Sequence, residues 1–389
     1  MLRPHCIDHL KSKAIPFLVL AVAIGTPSVA LANVGTPLMW ATALHMALGN
    51  AFIGILEGVL LARVYGVPAG RAIGVMILAN YLSAWLGWTW LWGFPGGRDG
   101  INLYNAWPVI WVMVAAAYVV TLLVEWPFVA ACFRGRENWF RRSCGASFLI
   151  QSVSYVLLFG WFYLASVNSL FTDTTVVSID QMSLSSNVCV YYIADEDGDI
   201  YSLKLNTGQF EKVFDLNSHD LSDCLSFENS RLQKGSQEVV ALLESADINQ
   251  PKVIRSEVVV PDEDCPQYED HAPLRSDRFA SPSSHHSVSK LGSALEDPWT
   301  FTAGYWAAQG LSGENTKTGE HIWLALETPF VQWAIRHVIA LPENKVLFQL
   351  GERQICILDS NTRKVAVLRF GRGAVAVLER PLIQQKRVE

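Results

Sequence analysis

Two carboxylates stand inside otherwise apolar stretches of this sequence, Glu57 and Glu125. An ionisable group in such surroundings is costly and calls for a reason. Polar residues recur around both at helical spacing. Asn50, Gly54, Glu57, Gly58 and Leu61 fall within about 100° of one another on a helical wheel. Tyr118, Thr121 and Glu125 line up in the same way, as do Asn80 with Ser83, and Ser147 with Gln151, Ser154 and Tyr155. Asn50, Glu57, Asn80, Glu125 and Gln151 are therefore candidates for one polar layer inside a membrane. No Lys or Arg lies at the depth of the two acids, so each should carry a proton or hold a cation. Conduction of protons or metal cations is one chemistry this allows. Interhelical hydrogen bonding is the second, with Gly49, Gly54 and Gly58 permitting close approach. A lipid or small-molecule site is the third. Pro127 should kink the chain beside Glu125. His45 lies about 140° from Asn50 on the wheel, outside this layer.

The elements that would position these residues are four apolar segments, Pro37–Leu61, Ala72–Phe94, Trp107–Phe133 and Ala146–Leu170. Each exceeds the roughly 20 residues needed to cross a bilayer core. Trp40, Trp88, Trp90, Trp92, Trp107, Trp111, Trp161 and Tyr163 cluster where headgroups would fall. Counted from the basic ends of the spans, Glu57, Asn80, Glu125 and Gln151 lie about 4–9 residues deep, hence in one layer at ~1.5 Å per residue.

Charge patterning orients the spans. Residues 1–32 resemble a cleavable secretory signal: Lys11 and Lys13, the apolar run Phe17–Ile24, then Ala30-Leu31-Ala32. The rival reading, an uncleaved first anchor, leaves Asn33 on the same side. The connector after the first span carries Arg63 and Arg71, and the third carries Arg134, Arg136, Arg141 and Arg142 against Glu137. In the second, Arg98 is balanced by Asp99. Basic connectors belong in the cytoplasm, which places everything after Leu170 outside it. The expected localisation is the cell (inner) membrane, multi-pass, with an extracytoplasmic C-terminal domain.

That domain, 171–389, is a different polymer. Its net charge is −11, against +5 for residues 1–170. An acidic face argues against nucleic acid and anionic lipid surfaces as partners. Short β-type runs follow one another: Val188–Ile193, Ile200–Leu205, Val239–Leu243, Val253–Val260, Lys345–Leu350, Gln354–Leu358 and Val365–Arg369. Residues 261–298, rich in Asp, Ser, Pro and His, read as a flexible surface loop. Glu327–Leu341 reads as a short helix or a strand pair. Two segments share a layout of strand, tight turn, strand and Asn/Thr/Gly turn: Val190–Leu216, and Val346–Phe370. They resemble single blades of a β-propeller. A β-sandwich would produce similar hairpins.

Other constellations are weaker. Asp195, Asp197 and Asp199 around Gly198 invite comparison with a calcium loop, but residue 206 is Asn where a ligating Glu belongs, which favours an acidic hairpin turn. His285-His286 has no partner at fixed spacing. Cys189, Cys224, Cys265 and Cys356 contain no C-x-x-C pair. In an oxidising compartment they are candidates for one or two disulfides, or else buried thiols. Gly371-Arg372-Gly373-Ala374-Val375-Ala376 superficially fits a dinucleotide fingerprint, but only 13 residues follow it, so it reads as a Gly-rich hairpin turn.

No nucleophile elbow, zincin motif or phosphate loop is present, and no catalytic residue, metal or cofactor is assigned. The expectation is an α-helical membrane bundle of four transmembrane helices, residues 33–170, plus a mainly-β extracytoplasmic domain, propeller-like or a β-sandwich. Its expected role is non-catalytic, with the β domain presented to a ligand or protein partner and the bundle in the lipid bilayer. The alternative is a small proton or cation transport component that uses the intramembrane carboxylates.

Overall fold

The computed structural model describes residues 35–92, 100–184, 187–221, 223–229, 235–243, 252–266 and 286–379. The signal-like segment 1–32 lies outside the described residues. The chain divides into two compact units. The first holds 1–100, 108–166 and 328–330, and the second 101–107, 167–327 and 331–389.

Four helices make up the first unit: α1 (Pro37–Tyr65), α2 (Ala69–Trp92), α3 (Ala106–Phe133) and α4 (Trp139–Ala165). All four are long and apolar enough to cross a membrane. Thr36 opens α1 by accepting the Met39 N–H, with Pro37 at the first position, where its missing N–H costs nothing. Five residues of α1, His45–Gly49, form a π-helical turn. Gly66 ends the helix in the left-handed region. α4 begins at Trp139, seven residues before the expected Ala146, and takes in Arg141 and Arg142.

Two arginines satisfy helix-end carbonyls that have no intrahelical donor. Arg136 donates to Tyr65 O (2.8 Å) and Gly66 O (2.7 Å), and Arg71 donates to Ala131 O (2.6 Å). The two basic connectors therefore meet at one end of the unit.

The second unit is mainly β. After the short helix α5 (Ser169–Thr172) come β1 (Thr175–Val176), β2 (Val188–Ala194), β3 (Ile200–Lys204), β4 (Phe210–Phe214), β5 (Cys224–Asn229), β6 (Ser236–Leu243) and β7 (Lys252–Pro261). Then follow β8 (His286–Ser287), β9 (Ser289–Lys290), β10 (Trp299–Ala303), β11 (Leu311–Asn315), β12 (His321–Leu324), β13 (Leu326–Glu327) and β14 (Gln332–Trp333). The last four are β15 (Ile335–Leu341), β16 (Lys345–Leu350), β17 (Gln354–Asp359) and β18 (Lys364–Leu378).

The main sheet runs β4-β3-β2-β18-β17-β16-β15-β9, with β1 added to β18. It curls into a half-barrel around β18. The first half of this strand pairs with β17 and the second half with β2. The change of partner falls at Gly371-Arg372-Gly373, where the register shifts between Arg372 and Val375. Gly373 has φ +58, and a Cβ there would stand 2.4 Å from the Cys224 Cα. Only glycine suits that bulge. This stretch is therefore a bulge within one strand rather than a hairpin turn.

The same strand corrects the propeller-like reading. The two blade-like segments, β2-β3-β4 and β16-β17-β18, are halves of one continuous sheet. Hairpin patterns alone do not distinguish separate blades from a shared strand.

Burial on both faces explains the near-continuous apolar runs of β2 and β18. Val190, Tyr192, Ala374 and Ala376 enter one core with Leu347, Ile355 and Ile357. Cys189, Ile193, Val375 and Val377 enter the other, with Leu225, Phe227, Val239 and Ala241 from the β5-β6-β7 sheet. The sheet β12-β11-β10-β8 instead alternates buried and exposed residues along β10 and β11. The stretch Glu327–Leu341 is strands, not helix. Of the loop expected over 261–298, residues 267–285 lie outside the described residues. Its described ends include β8, β9 and a 3-10 turn at Gly292–Leu295.

Candidate functional site

The site begins with two glycines. A Cβ on Gly54 would lie 2.5 Å from the Ile77 Cα, and one on Gly58 2.5 Å from the Ile73 Cα. Their absence lets α1 and α2 approach backbone to backbone. Gly49 does not share this role, since a Cβ there would meet His45 of its own helix. The close approach brings two short side chains together: Asn80 Nδ2 donates to Glu57 Oε2 at 2.6 Å and to Met76 O at 3.0 Å. Both of its amide hydrogens are thereby used.

Glu125 arrives from α3 and is held by two other helices. Ser83 of α2 lies 2.5 Å from Glu125 Oε1, and Gln151 Nε2 of α4 donates to Glu125 Oε2 at 2.5 Å. Glu57 and Glu125 are neighbours, with Ser154 of α4 beside Glu57. Glu57, Glu125 and Gln151 are at most 1% exposed, and Asn50 and Asn80 are also buried. Four of the five residues expected in a polar layer thus form two hydrogen-bonded groups, side by side and fed by all four helices. The fifth, Asn50, is buried on the same face of α1, but its Nδ2 finds no acceptor.

Among the described residues of the helices, Glu57 Oε1 and Ser147 Oγ are also buried without a hydrogen-bond partner. A buried polar group left this way is costly, and such exceptions mark places where something else can bind. No Lys or Arg side chain enters any of these hydrogen bonds.

Above this layer, toward the N-terminal end of α3, two rungs of hydroxyls join α3 to α4. Thr121 Oγ1 and Tyr155 OH are 2.8 Å apart, and so are Tyr118 OH and Ser152 Oγ. The rings of Tyr118 and Tyr155 pack edge to face at 4.8 Å. Tyr118, Thr121 and Tyr155 were visible in the sequence within separate stripes, whereas Ser152 stood outside the α4 stripe. Their pairing was not, because a single-helix wheel says nothing about which neighbour a stripe faces. His45 lies against the Phe162 ring, edge to face at 5.5 Å.

In the second unit the acidic turn is spent on internal bonds. Asp197 accepts from Asp199 N (3.1 Å) and Tyr201 OH (2.8 Å). Asp199 accepts from Leu216 N and Asn217 N and pairs with Lys212 at 2.6 Å, while Asp195 faces Arg353 at 3.5 Å. Among the described residues, no three His, Cys, Asp or Glu side chains gather as metal ligands do.

Cys189 and Cys356 are buried thiols. Burial pushes the Cys189 thiol up to about 11 and the Cys356 thiol higher still. They cannot pair with each other. Cys189 stands opposite Val377 and Cys356 opposite Val367 of the same strand. Ten residues of strand span about 33 Å, whereas a disulfide needs Cα atoms within about 7 Å. Cys224 is opposite Leu242 on β6, and Cys265 follows β7 and joins the core beneath it.

No family model matches this chain. No curated protein matches it in sequence. Its function must be argued from the geometry.

Proposed function

We propose that the chain is a multi-pass protein of the cell (inner) membrane that holds its mainly-β unit outside the cytoplasm to bind a ligand or protein partner. One observation carries this reading. The connector between α2 and α3 is built into the β unit: Leu103 N donates to Gln354 Oε1 at 2.7 Å, and Val367 N donates to Tyr104 OH at 3.3 Å. The segment after α4 is built in as well, with Val167 bridged to Glu327. The described chain leading into α3 and out of α4 thus belongs to the β unit. This agrees with the charge count, which puts both of these helix ends on the side opposite the arginine-rich connectors. Alkaline phosphatase fused after Glu389 should be active, and a reporter inserted at Gly135 should be inactive. The reverse pattern would overturn the orientation.

A second reading is favoured by one specific observation, the partnerless Glu57 Oε1 beside Glu125. On this reading the acid pair takes up a proton or small cation, and the helical unit is a transport component.

A further inference from the structure

Proton counting within the helical unit separates the two cargoes of the transport reading, on which this inference rests. Ser83 has a single hydroxyl proton, yet two acceptors lie beside its oxygen: Asn80 O at 3.1 Å and Glu125 Oε1 at 2.5 Å. One hydrogen cannot serve both. A proton on Glu125 Oε1, donated to Ser83 Oγ, frees Ser83 to bond the carbonyl. Glu125 Oε2 still accepts from Gln151. Glu57 Oε2 accepts from Asn80, and its Oε1 is left with an unused lone pair. The two acids together therefore have a natural place for one proton and a vacant oxygen that can take another.

Independent of the acids, Ser147 Oγ and Asn50 Nδ2 are buried and partnerless one turn and two turns away along α4 and α1. The side chains that meet the pair are Asn80 and Ser83 of α2, and Gln151, Ser154 and Tyr155 of α4. Of these only Tyr155 can titrate, and none carries a positive charge to neutralise an anion.

The hydroxyl rungs supply direction. Thr121 is one turn from Glu125, and Tyr155 is one turn from Gln151. Tyr118 and Ser152 follow, towards the Trp107 end. Thr121 gives its own hydroxyl proton to Ala117 O at 2.9 Å and Ser152 gives its own to Phe148 O at 2.8 Å, so at rest each tyrosine is the donor within its rung, and a proton passes only as these hydroxyls rotate. We infer that Glu57 and Glu125 form a reversible proton-binding site and that the Thr121–Tyr155 and Tyr118–Ser152 pairs are its route towards the Trp107 end of α3. In each transfer one O–H bond breaks as another forms. A hydroxyl that gains a proton releases its own to the next oxygen. The net change is one proton moved, with no oxidant or reductant.

The test uses the full chain in phosphatidylethanolamine–phosphatidylglycerol vesicles loaded with a pH-sensitive dye, with a valinomycin-clamped potassium gradient driving protons inward. The wild type should acidify the lumen. Glu125→Gln should slow this at least tenfold, as should Tyr155→Phe, with melting temperatures close to wild type. Tyr118→Phe and Ser152→Ala probe the second rung should Tyr155→Phe fail to fold. Loss of flux in Glu125→Gln with wild-type flux in the folded rung variants would overturn the route and leave the acid pair standing. No proton flux in the wild type, or flux unaltered by Glu125→Gln, would overturn the acid-pair reading itself. Sodium or potassium flux without proton flux would overturn the choice of cargo.

Discussion

The two units expose opposite kinds of side chain, although both bury apolar clusters. In the helical unit Glu57, Asn80, Glu125, Ser147 and Gln151 are inside, while Leu123 is 69% and Leu164 84% exposed. In the β unit Leu347, Phe348, Ile355 and Ile357 are fully enclosed, and exposed positions on β10 and β11 are mostly polar. One chain thus folds by two rules. The β unit gathers apolar surface away from water. The helical unit, long and apolar enough to cross a membrane, encloses polar groups as well, and in hydrocarbon an unmet hydrogen bond would have no water to turn to. The inversion also adds to what holds neighbours together: interlocking apolar side chains serve in both units, and between the helices Gly54, Gly58 and short polar groups join Leu61, Met76, Phe133 and Ile150.

The largest expected effect tests the inversion itself. Leu123→Lys places a charge on the exposed face of α3, where insertion scales give a cost of about 2.5–3.5 kcal/mol at a helix centre. Thr302→Lys, on the exposed face of β10, should change stability by no more than about 0.5 kcal/mol. The yield of membrane-integrated, folded protein measures the first, and thermal melting the second. Equal tolerance of both would break the contrast.

Next comes the glycine contact. Gly58→Ala drives a Cβ into the Ile73 backbone, and overpacking of this kind costs about 1–3 kcal/mol. Gly74→Ala, where a Cβ meets nothing within 4 Å, should be neutral or gain up to about 1 kcal/mol from helix propensity. Melting both variants in detergent isolates close approach from propensity, since the chemical change is identical. A smaller effect is expected from Glu57→Gln and Glu125→Gln. Each keeps a hydrogen-bonding group in place and should cost about 1 kcal/mol or less, the scale of interhelical polar contacts. A cost several times larger would mean that ionisation, and not hydrogen bonding, holds the layer together.

Much of this was legible because period and chemistry coincide. Apolar length alone gave the four helices, and the short polar side chains recurring at helical spacing gave the buried layer down to individual residues. The β domain was legible strand by strand in β2, β16 and β17. The strands with few apolar residues, such as β11, were not. Nor was the connectivity. Nothing local in Lys364–Leu378 states that one strand serves two partners, because the pairing depends on residues nearly two hundred positions away. The same limit applied within the helices, where Ser83 could be seen to align with Asn80 but not to reach Glu125. The unexpected roles were those of Arg71 and Arg136, counted in the sequence only as charges. They cap helix ends because the carbonyls they serve belong to other segments.

The smallest expected effect contrasts an acid paired with a lysine against the two acids between the helices. Asp199 sits behind Gly198, whose φ of +73 and closeness to Ser218 O admit no side chain. That turn aims the Asp199 carboxylate at the N–H groups of Leu216 and Asn217 and at Lys212. The Lys212 ammonium, helped by the two backbone donors, holds this carboxyl below its usual value. A depressed native value means that the unfolded chain binds the proton more readily. The stabilisation is therefore complete above the ordinary Asp range near 4 and disappears as pH falls through the lower native value. Thermal melts of the full chain and of Asp199→Asn, taken from pH 6 down to pH 2.5, should show a modest gap that is constant at the upper end and closes at the lower. A gap that persists unchanged to pH 2.5 would mean that the carboxylate's charge is irrelevant and that Asn fails for geometric reasons alone. A closing gap would show that this turn depends on a carboxylate held by a lysine, a partner that the acids between the helices do not have.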